Sequence, residues 1–234
     1  MPPTIILIRH GEAQHNATRD YNIPDPPLTA KGEEQCRHLH SQLLHAFPLA
    51  HEVEAIITSP FLRTLQTTTI GLDFLIKRGI KVEPDALWQE NSAKPCDTGS
   101  TVAMVQARFP DIDFLSVDPV FPRKEGVYAF TKTAVLARGR AVLGRLRDRP
   151  EKVIAVVSHS GFLRTAVSRR HYHNADFRVF TFGTDIDGDV NLIESPLTEG
   201  RGGLGWSHEG VAEVREDEFP VEKEVGTEAT HEVP

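Results

Sequence analysis

The sequence predicts an α/β fold, a three-layer α/β/α sandwich around a mostly parallel central sheet, on three observations. Short runs rich in apolar residues stand at 4–8, 55–58, 80–82 and 152–158, the first of them uninterrupted, as expected of a strand buried on both faces. Segments with helical apolar spacing alternate with those runs, the order that builds right-handed parallel units. The 234 residues, 39% hydrophobic and 25% charged, suit one globular domain with a real core.

Taken in order, Thr4, Ile5, Ile6, Leu7 and Ile8 form the first strand. A loop with Pro24, Pro26 and Pro27 leads to Thr29, placed as an N-cap with Glu33 close behind. Cys36, Leu39, Leu43, Leu44 and Phe47 then recur at helical spacing until Pro48. The second strand, 55–58, runs into Ser59-Pro60, read as an N-cap and a first-turn proline. That helix carries Leu62, Leu65, Leu72, Leu75 and Ile76 and stops at Gly79. A third strand follows at 80–82. Residues 91–130, rich in Pro and Gly with weak periodicity, read as an insertion over the sheet. A helix over 131–148, a strand over 152–158 and a helix from Ser160 to about Arg169 complete the pattern.

Charge is uneven along the chain. From Ser195 onward ten Asp and Glu face three Lys and Arg, whereas residues 1–194 hold 23 of each. The body is neutral, with no basic surface to attract nucleic acid. The segment 195–234 reads as an acidic, mobile tail because large apolar residues are few. Cys36 and Cys96 are too few for a disulfide framework and lack metal-site spacing, which points to a reducing, cytoplasmic setting. Arg9 interrupts the first apolar run far short of a signal-peptide core or a membrane span. No coiled-coil heptad appears, so the sequence fixes no oligomeric state.

In a sheet of this kind the ligand site lies beyond the carboxyl ends of the strands. Three of the expected strands end in reactive residues: Arg9-His10-Gly11, Ser59-Pro60 leading to Arg63, and Ser158-His159-Ser160-Gly161. Two histidines and two arginines at one edge suit a dianion, since guanidinium binds phosphate oxygens in pairs and stays charged. Gly11 lets the backbone approach the ligand, and the helices opening near Ser59 and Ser160 are expected to add positive dipole ends. Asn16 adds a neutral donor from the loop. Under this much positive charge His10 is expected to be neutral, hence nucleophilic, and needs no metal or other cofactor to attack phosphorus.

Leu7-Ile8-Arg9-His10-Gly11-Glu12 with Asn16, then 58–67 around Arg63, then Val157-Ser158-His159-Ser160-Gly161 resemble the three signatures of the histidine phosphatase superfamily, also called phosphoglycerate mutase-like. The resemblance spans about 4–194, and three motifs in order are far more specific than any one. It implies a phosphoglycerate mutase-like fold and a histidine phosphatase domain over 1–194. His10 would be the nucleophile that becomes phosphorylated, and Arg9, Arg63, His159 and Asn16 the phosphate contacts. Glu90 falls where the family keeps its proton donor. The stretch 95–100 is similar to a segment in a fungal phosphomutase-like branch, and with it Arg19, Tyr21, Asp97, Thr98 and Ser160 are candidates to touch the leaving group.

One departure bears on substrate: the basic, Tyr-Gly-containing segment of classical phosphoglycerate mutases is replaced after Glu90 by Asn-Ser-Ala-Lys-Pro-Cys-Asp-Thr-Gly. The resemblance therefore implies a phosphatase acting on a small phosphorylated metabolite. A mutase-type phosphotransferase and a non-catalytic phosphate-binding module are the competing functions. His10, Glu12 and His15 do not have the spacing of a zinc-protease helix. Ser158 and Ser160 lack the G-x-S-x-G elbow. His171, His173 and Asp176 read as an ordinary helix end, so no metal is assigned.

Overall fold

The computed structural model describes residues 1–184, 190–208, 210–214 and 218–220. Six strands form one sheet in the order β3-β2-β4-β1-β5-β6. β1 (Thr4–Arg9), β2 (Val53–Thr58), β3 (Val82–Pro84) and β4 (Val153–Ser158) run parallel. β5 (Phe177–Thr184) lies antiparallel to β1, and β6 (Val190–Glu194) antiparallel to β5. The chain leaving β1 goes to β2 on one side, and the chain leaving β4 goes to β5 on the other. The carboxyl ends of β1 and β4, paired Arg9 to Ser158, therefore mark the place where connections diverge.

The helices are α1 (Gln14–Thr18), α2 (Ala30–Ala46), α3 (Leu62–Gly71), α4 (Asp73–Lys77), α5 (Val102–Arg108), α6 (Lys132–Arg147) and α7 (Ser160–Phe162). Alternation along β1 sends Ile5 and Leu7 to one core with Val135, Val142 and Leu146 of α6. Ile6 and Ile8 go to the other, with Leu39 and Leu43 of α2 and Phe74 of α4. Two faces of one strand thus hold two helical layers together. Thr29 caps α2 by accepting from the Gly32 amide at 3.0 Å, and Thr131 caps α6 by accepting from the Ala134 amide at 3.1 Å.

Several elements differ from the sequence reading. The helix expected to open at Ser59-Pro60 begins at Leu62, and a break at Leu72 divides it into α3 and α4. Gly71, a weak helix former, ends the first piece. The third strand sits at 82–84 rather than 80–82. The helix after His159 keeps three α-helical residues and widens into a π-turn at Leu163–Val167, closed by the Ser168 amide donating to the Leu163 carbonyl at 2.8 Å.

The antiparallel pair β5–β6 went unread in the sequence, as did the packing beyond it. Residues 195–208, assigned to a mobile tail, are docked on the body. Buried Asp176 accepts from the amides of Leu204 and Trp206 and from Ser207 Oγ. Arg178, itself buried, donates to Glu194 and to the carbonyls of Thr198, Gly200 and His208. Two buried charges bonded to main chain do here what an apolar stripe does elsewhere, so no hydrophobic period betrays the contact. The part of the tail reading that concerns 221–234 lies outside the described residues.

Candidate active site

β1 and β4 deliver the reactive residues to one place. The His10 amide donates to the Ser158 carbonyl at 3.0 Å, and the His10 carbonyl accepts from the Ala175 amide at 3.1 Å and from Asn174 Nδ2 at 3.2 Å. The next residue must be glycine: a Cβ at Gly11 would lie 2.7 Å from the Gly32 carbonyl oxygen and 2.8 Å from Cys36 Sγ. This close approach packs the loop on α2, while the Gly11 amide donates to Thr67 Oγ1 of α3 at 3.0 Å. His10 is 2% exposed and its backbone is held by β4 and by residues 174–175.

His10 Nδ1 lies 2.6 Å from the Gly11 carbonyl, an acceptor, which assigns the proton to Nδ1. Nε2 then carries the lone pair and accepts from Arg63 Nε at 3.3 Å. Burial, then the guanidiniums of Arg63 and Arg9, push protonation of His10 well below the ordinary histidine range. The result is a neutral imidazole with its basic nitrogen facing a fixed cation.

The His159 ring stands 5.3 Å from the His10 ring, edge-on. Its Nε2 lies 2.8 Å from Ser59 Oγ, and Nδ1 is buried with no protein partner. Burial, then Arg63, then His10, hold His159 neutral as well. Arg9 donates from Nη1 to the Tyr172 carbonyl at 2.8 Å, and its Nε is likewise buried and unbonded. Burial draws its pKa down to about 10, so it stays charged near neutrality. Arg9 Nε and, in the matching tautomer, His159 Nδ1 are thus unspent donors of the kind an oxyanion satisfies.

Glu90 lies close enough to Arg9 to raise the Arg9 pKa against the effect of burial, and it is held by main chain. Its Oε1 accepts from the Phe162 amide at 2.8 Å and from the Asn91 amide at 2.9 Å, and its Oε2 from the Gly161 amide at 2.9 Å. A Cβ at Gly161 would come within 2.5 Å of Oε1, so only glycine lets α7 reach the carboxylate. This corrects the role expected of the helix starts. The first amides of α7 serve Glu90, and the Leu62 amide that opens α3 donates to Asp25 Oδ1 at 3.1 Å. These three amides are therefore not spent on the phosphate pocket.

The other sequence candidates are spread unevenly. Asn16 sits on α1 rather than in a loop. Its Oδ1 accepts from the Ala13 amide at 3.0 Å, and its Nδ2 lies 3.0 Å from His15 Nε2. Asp97 Oδ1 accepts from Arg63 Nη2 at 3.2 Å while the Cys96 carbonyl accepts from Nη1 at 2.7 Å, so the turn 95–97 aims Arg63 at His10. Tyr21 is 47% exposed, its ring 4.6 Å from Lys94 Nζ. Thr98 Oγ1 donates to the Lys94 carbonyl. Ser160 is half-buried beside His159, and Arg19 is exposed at the end of α1.

Sequence reasoning missed four neighbours. His15, buried with its ring 6.1 Å from His10, has its pKa drawn down to about 4 by burial and Arg63. Ser59, read as a cap, orients His159. Lys124 Nζ donates to the Glu90 carbonyl at 2.6 Å and lies over the Phe61 ring, and burial foremost pulls its pKa down to about 7. Arg138 donates from Nη1 to the Gln89 carbonyl and from Nη2 to Asn91 Oδ1, both at 2.9 Å, and stacks 4.2 Å above Phe162. It grips the residues on either side of Glu90. Its signal was legible: positions 135, 138 and 142 share the apolar stripe of α6, and a guanidinium there has to be buried.

A cavity of about 940 Å³ between α6 and 116–128 contains none of the strand-end residues. Among the described residues no group of three or more His, Cys, Asp or Glu is gathered as a metal site. Asp176, one of three potential ligands considered in the sequence, is bonded to 204–207 instead. No helix among the described residues is long and apolar enough to cross a membrane.

A neutral imidazole at a strand end, flanked by the guanidiniums of buried Arg63 and half-buried Arg9 with the Glu90 carboxyl group nearby, suits an enzyme that handles phosphoryl groups. A sequence model of the histidine phosphatase superfamily (branch 1) matches residues 5–184. A probable phosphatase of Schizosaccharomyces pombe is 32% identical over 167 residues, covering 69% of this chain and 76% of its own. A phosphoglycerate mutase-like protein of Arabidopsis thaliana is 30% identical over 206 residues, covering 70% and 73%. Among solved structures, a putative alpha-ribazole-5'-P phosphatase from Escherichia coli aligns with a TM-score of 0.54 at 22% identity, over 82% of this chain and 96% of its own. The chain belongs to the histidine phosphatase superfamily and is a phosphoric monoester hydrolase.

Proposed function

We propose that the protein hydrolyses a small phosphorylated metabolite, without a metal, through a phosphohistidine at His10. The observation that carries this reading is Arg63 Nε at 3.3 Å from His10 Nε2, which requires a lone pair on the attacking nitrogen. His10 Nε2 bonds to phosphorus as the ester P–O bond breaks, and Glu90 gives its proton to the departing oxygen. Arg9, Arg63 and His159 hold the equatorial oxygens in the transition state. Glu90, now ionised, takes a proton from water as the water oxygen attacks phosphorus. The P–N bond breaks, inorganic phosphate leaves, and His10 regains its lone pair. Buried free thiols at Cys36 and Cys96 fit a reducing compartment, the cytoplasm.

Brief mixing with a radiolabelled phosphate ester in chelator, followed by quenching, tests the reading. Label that is stable to base, labile to acid and absent from His10→Ala is the expected outcome. Label retained by His10→Ala, or hydrolysis that chelator abolishes, overturns it. The plant relatives named phosphoglycerate mutase-like support the rival reading, in which a second substrate oxygen rather than water receives the phosphoryl group. Isomerisation of phosphoglycerate faster than phosphate release would favour it.

A further inference from the structure

A cleft of about 290 Å³ opens beside the acid, lined by Glu90, Ser92, Asp97, Phe130, Arg164 and Phe219 among others. Glu90 and Asp97 tie it to the site described above, since Asp97 is paired with Arg63 at 3.2 Å. One wall is aromatic: Phe130 of the 91–130 segment and Phe219 of the C-terminal segment have ring centroids 6.0 Å apart. Arg164, the cation among its described lining residues, already pairs with Glu218 at 2.7 Å.

A leaving group entering this cleft meets the tilted rings of Phe130 and Phe219 on one side and the carboxyl groups of Glu90 and Asp97 on the other. A second phosphate or carboxylate on the substrate would be placed against the charge of Asp97, with the lining guanidinium of Arg164 engaged by Glu218. We propose that this cleft is the leaving-group site, built for the phosphate monoester of an uncharged, flat apolar alcohol, with Phe130 and Phe219 as specificity determinants. The proposal rests on the hydrolase reading above, and it brings the 218–220 segment into substrate recognition.

The test separates the two. Binding of 1-naphthyl phosphate, ethyl phosphate and 3-phosphoglycerate is measured calorimetrically on His10→Ala protein, which needs no turnover, beside kcat/KM on the wild type. Naphthyl phosphate is expected to bind at least about tenfold tighter than 3-phosphoglycerate. Phe219→Ala, with Phe219→Leu as a milder companion, should weaken naphthyl phosphate more than ethyl phosphate, and Asp97→Asn should narrow the gap to phosphoglycerate. Tighter binding of phosphoglycerate, or equal losses for both esters in the Phe219 variants, overturns the cleft assignment. Selective binding with no phosphate release by the wild type would instead defeat the hydrolase reading and leave the cleft standing.

Discussion

The two sides of this active site are held by opposite means. On the nucleophile side, buried Arg63 is aimed at a neutral ring, and His10 is fixed by the main chain of β4 and Ala175 and by the Asn174 side chain. On the acid side, Glu90 is a carboxylate held by three backbone amides, and the residues flanking it are gripped by Arg138. In the proposed mechanism the first arrangement stabilises charge that grows on phosphoryl oxygens, and the second positions the group that gives a proton to the leaving oxygen. Loss of the first should harm every substrate, whereas loss of the second should harm only substrates whose leaving oxygen needs that proton.

The largest effect is expected at Arg63. Arg63→Met removes the cation facing His10 Nε2 and should lower kcat/KM by about 10³-fold for good and poor leaving groups alike. Arg63→Lys, which keeps charge but not the planar fork, should recover only part of this. The pH profile supplies a second readout. His10 must be neutral, so activity falls as pH drops through its depressed pKa. Without Arg63 one cause of that depression is gone, and the acid limb should move to higher pH. An acid limb that stays in place would show that Arg63 does not set the charge state of the nucleophile.

Glu90→Gln comes next and should divide the substrates. An alkyl phosphate should lose about 10²-fold in kcat, and dinitrophenyl phosphate, whose leaving group departs unprotonated, far less in the first step. Equal losses for both would mean that Glu90 does not act as the acid.

The contrast also explains what could be read from the chain. His10, Arg63 and His159 follow strands whose apolar runs are short and whose turns are tight, so topology alone brings them together. Glu90 rested on resemblance, and its holders were hidden for different reasons. The amides of Gly161 and Phe162 are main chain and carry no residue-type signal for a carboxylate partner. Lys124 comes from the weakly periodic 91–130 segment, where spacing constrains nothing. Beyond residue 176 the sheet turns antiparallel, and docking of 195–208 depends on Asp176 and Arg178 bonding to backbone, a contact that leaves no periodic trace. Ser59 failed in another way: its position before a proline matched a cap, yet its hydroxyl serves His159.

Arg138 offers the smallest effect and the sharpest view of the comparison. It is 2% exposed, and burial draws its pKa down to about 10, so it remains a cation in the interior at a cost. Its two bonds go to Gln89 and Asn91, which makes it a positioning residue for Glu90. Arg138→Met should lower kcat on an alkyl phosphate by about tenfold with little change in KM, and spare dinitrophenyl phosphate, as Glu90→Gln does in milder form. The double variant with Glu90→Gln should then lose little beyond Glu90→Gln alone, because the two act on one step. Thermal unfolding of each variant separates this from a general loss of packing: a merely structural Arg138 would lower activity on both esters in step with the melting temperature, and its loss would add in full to that of Glu90.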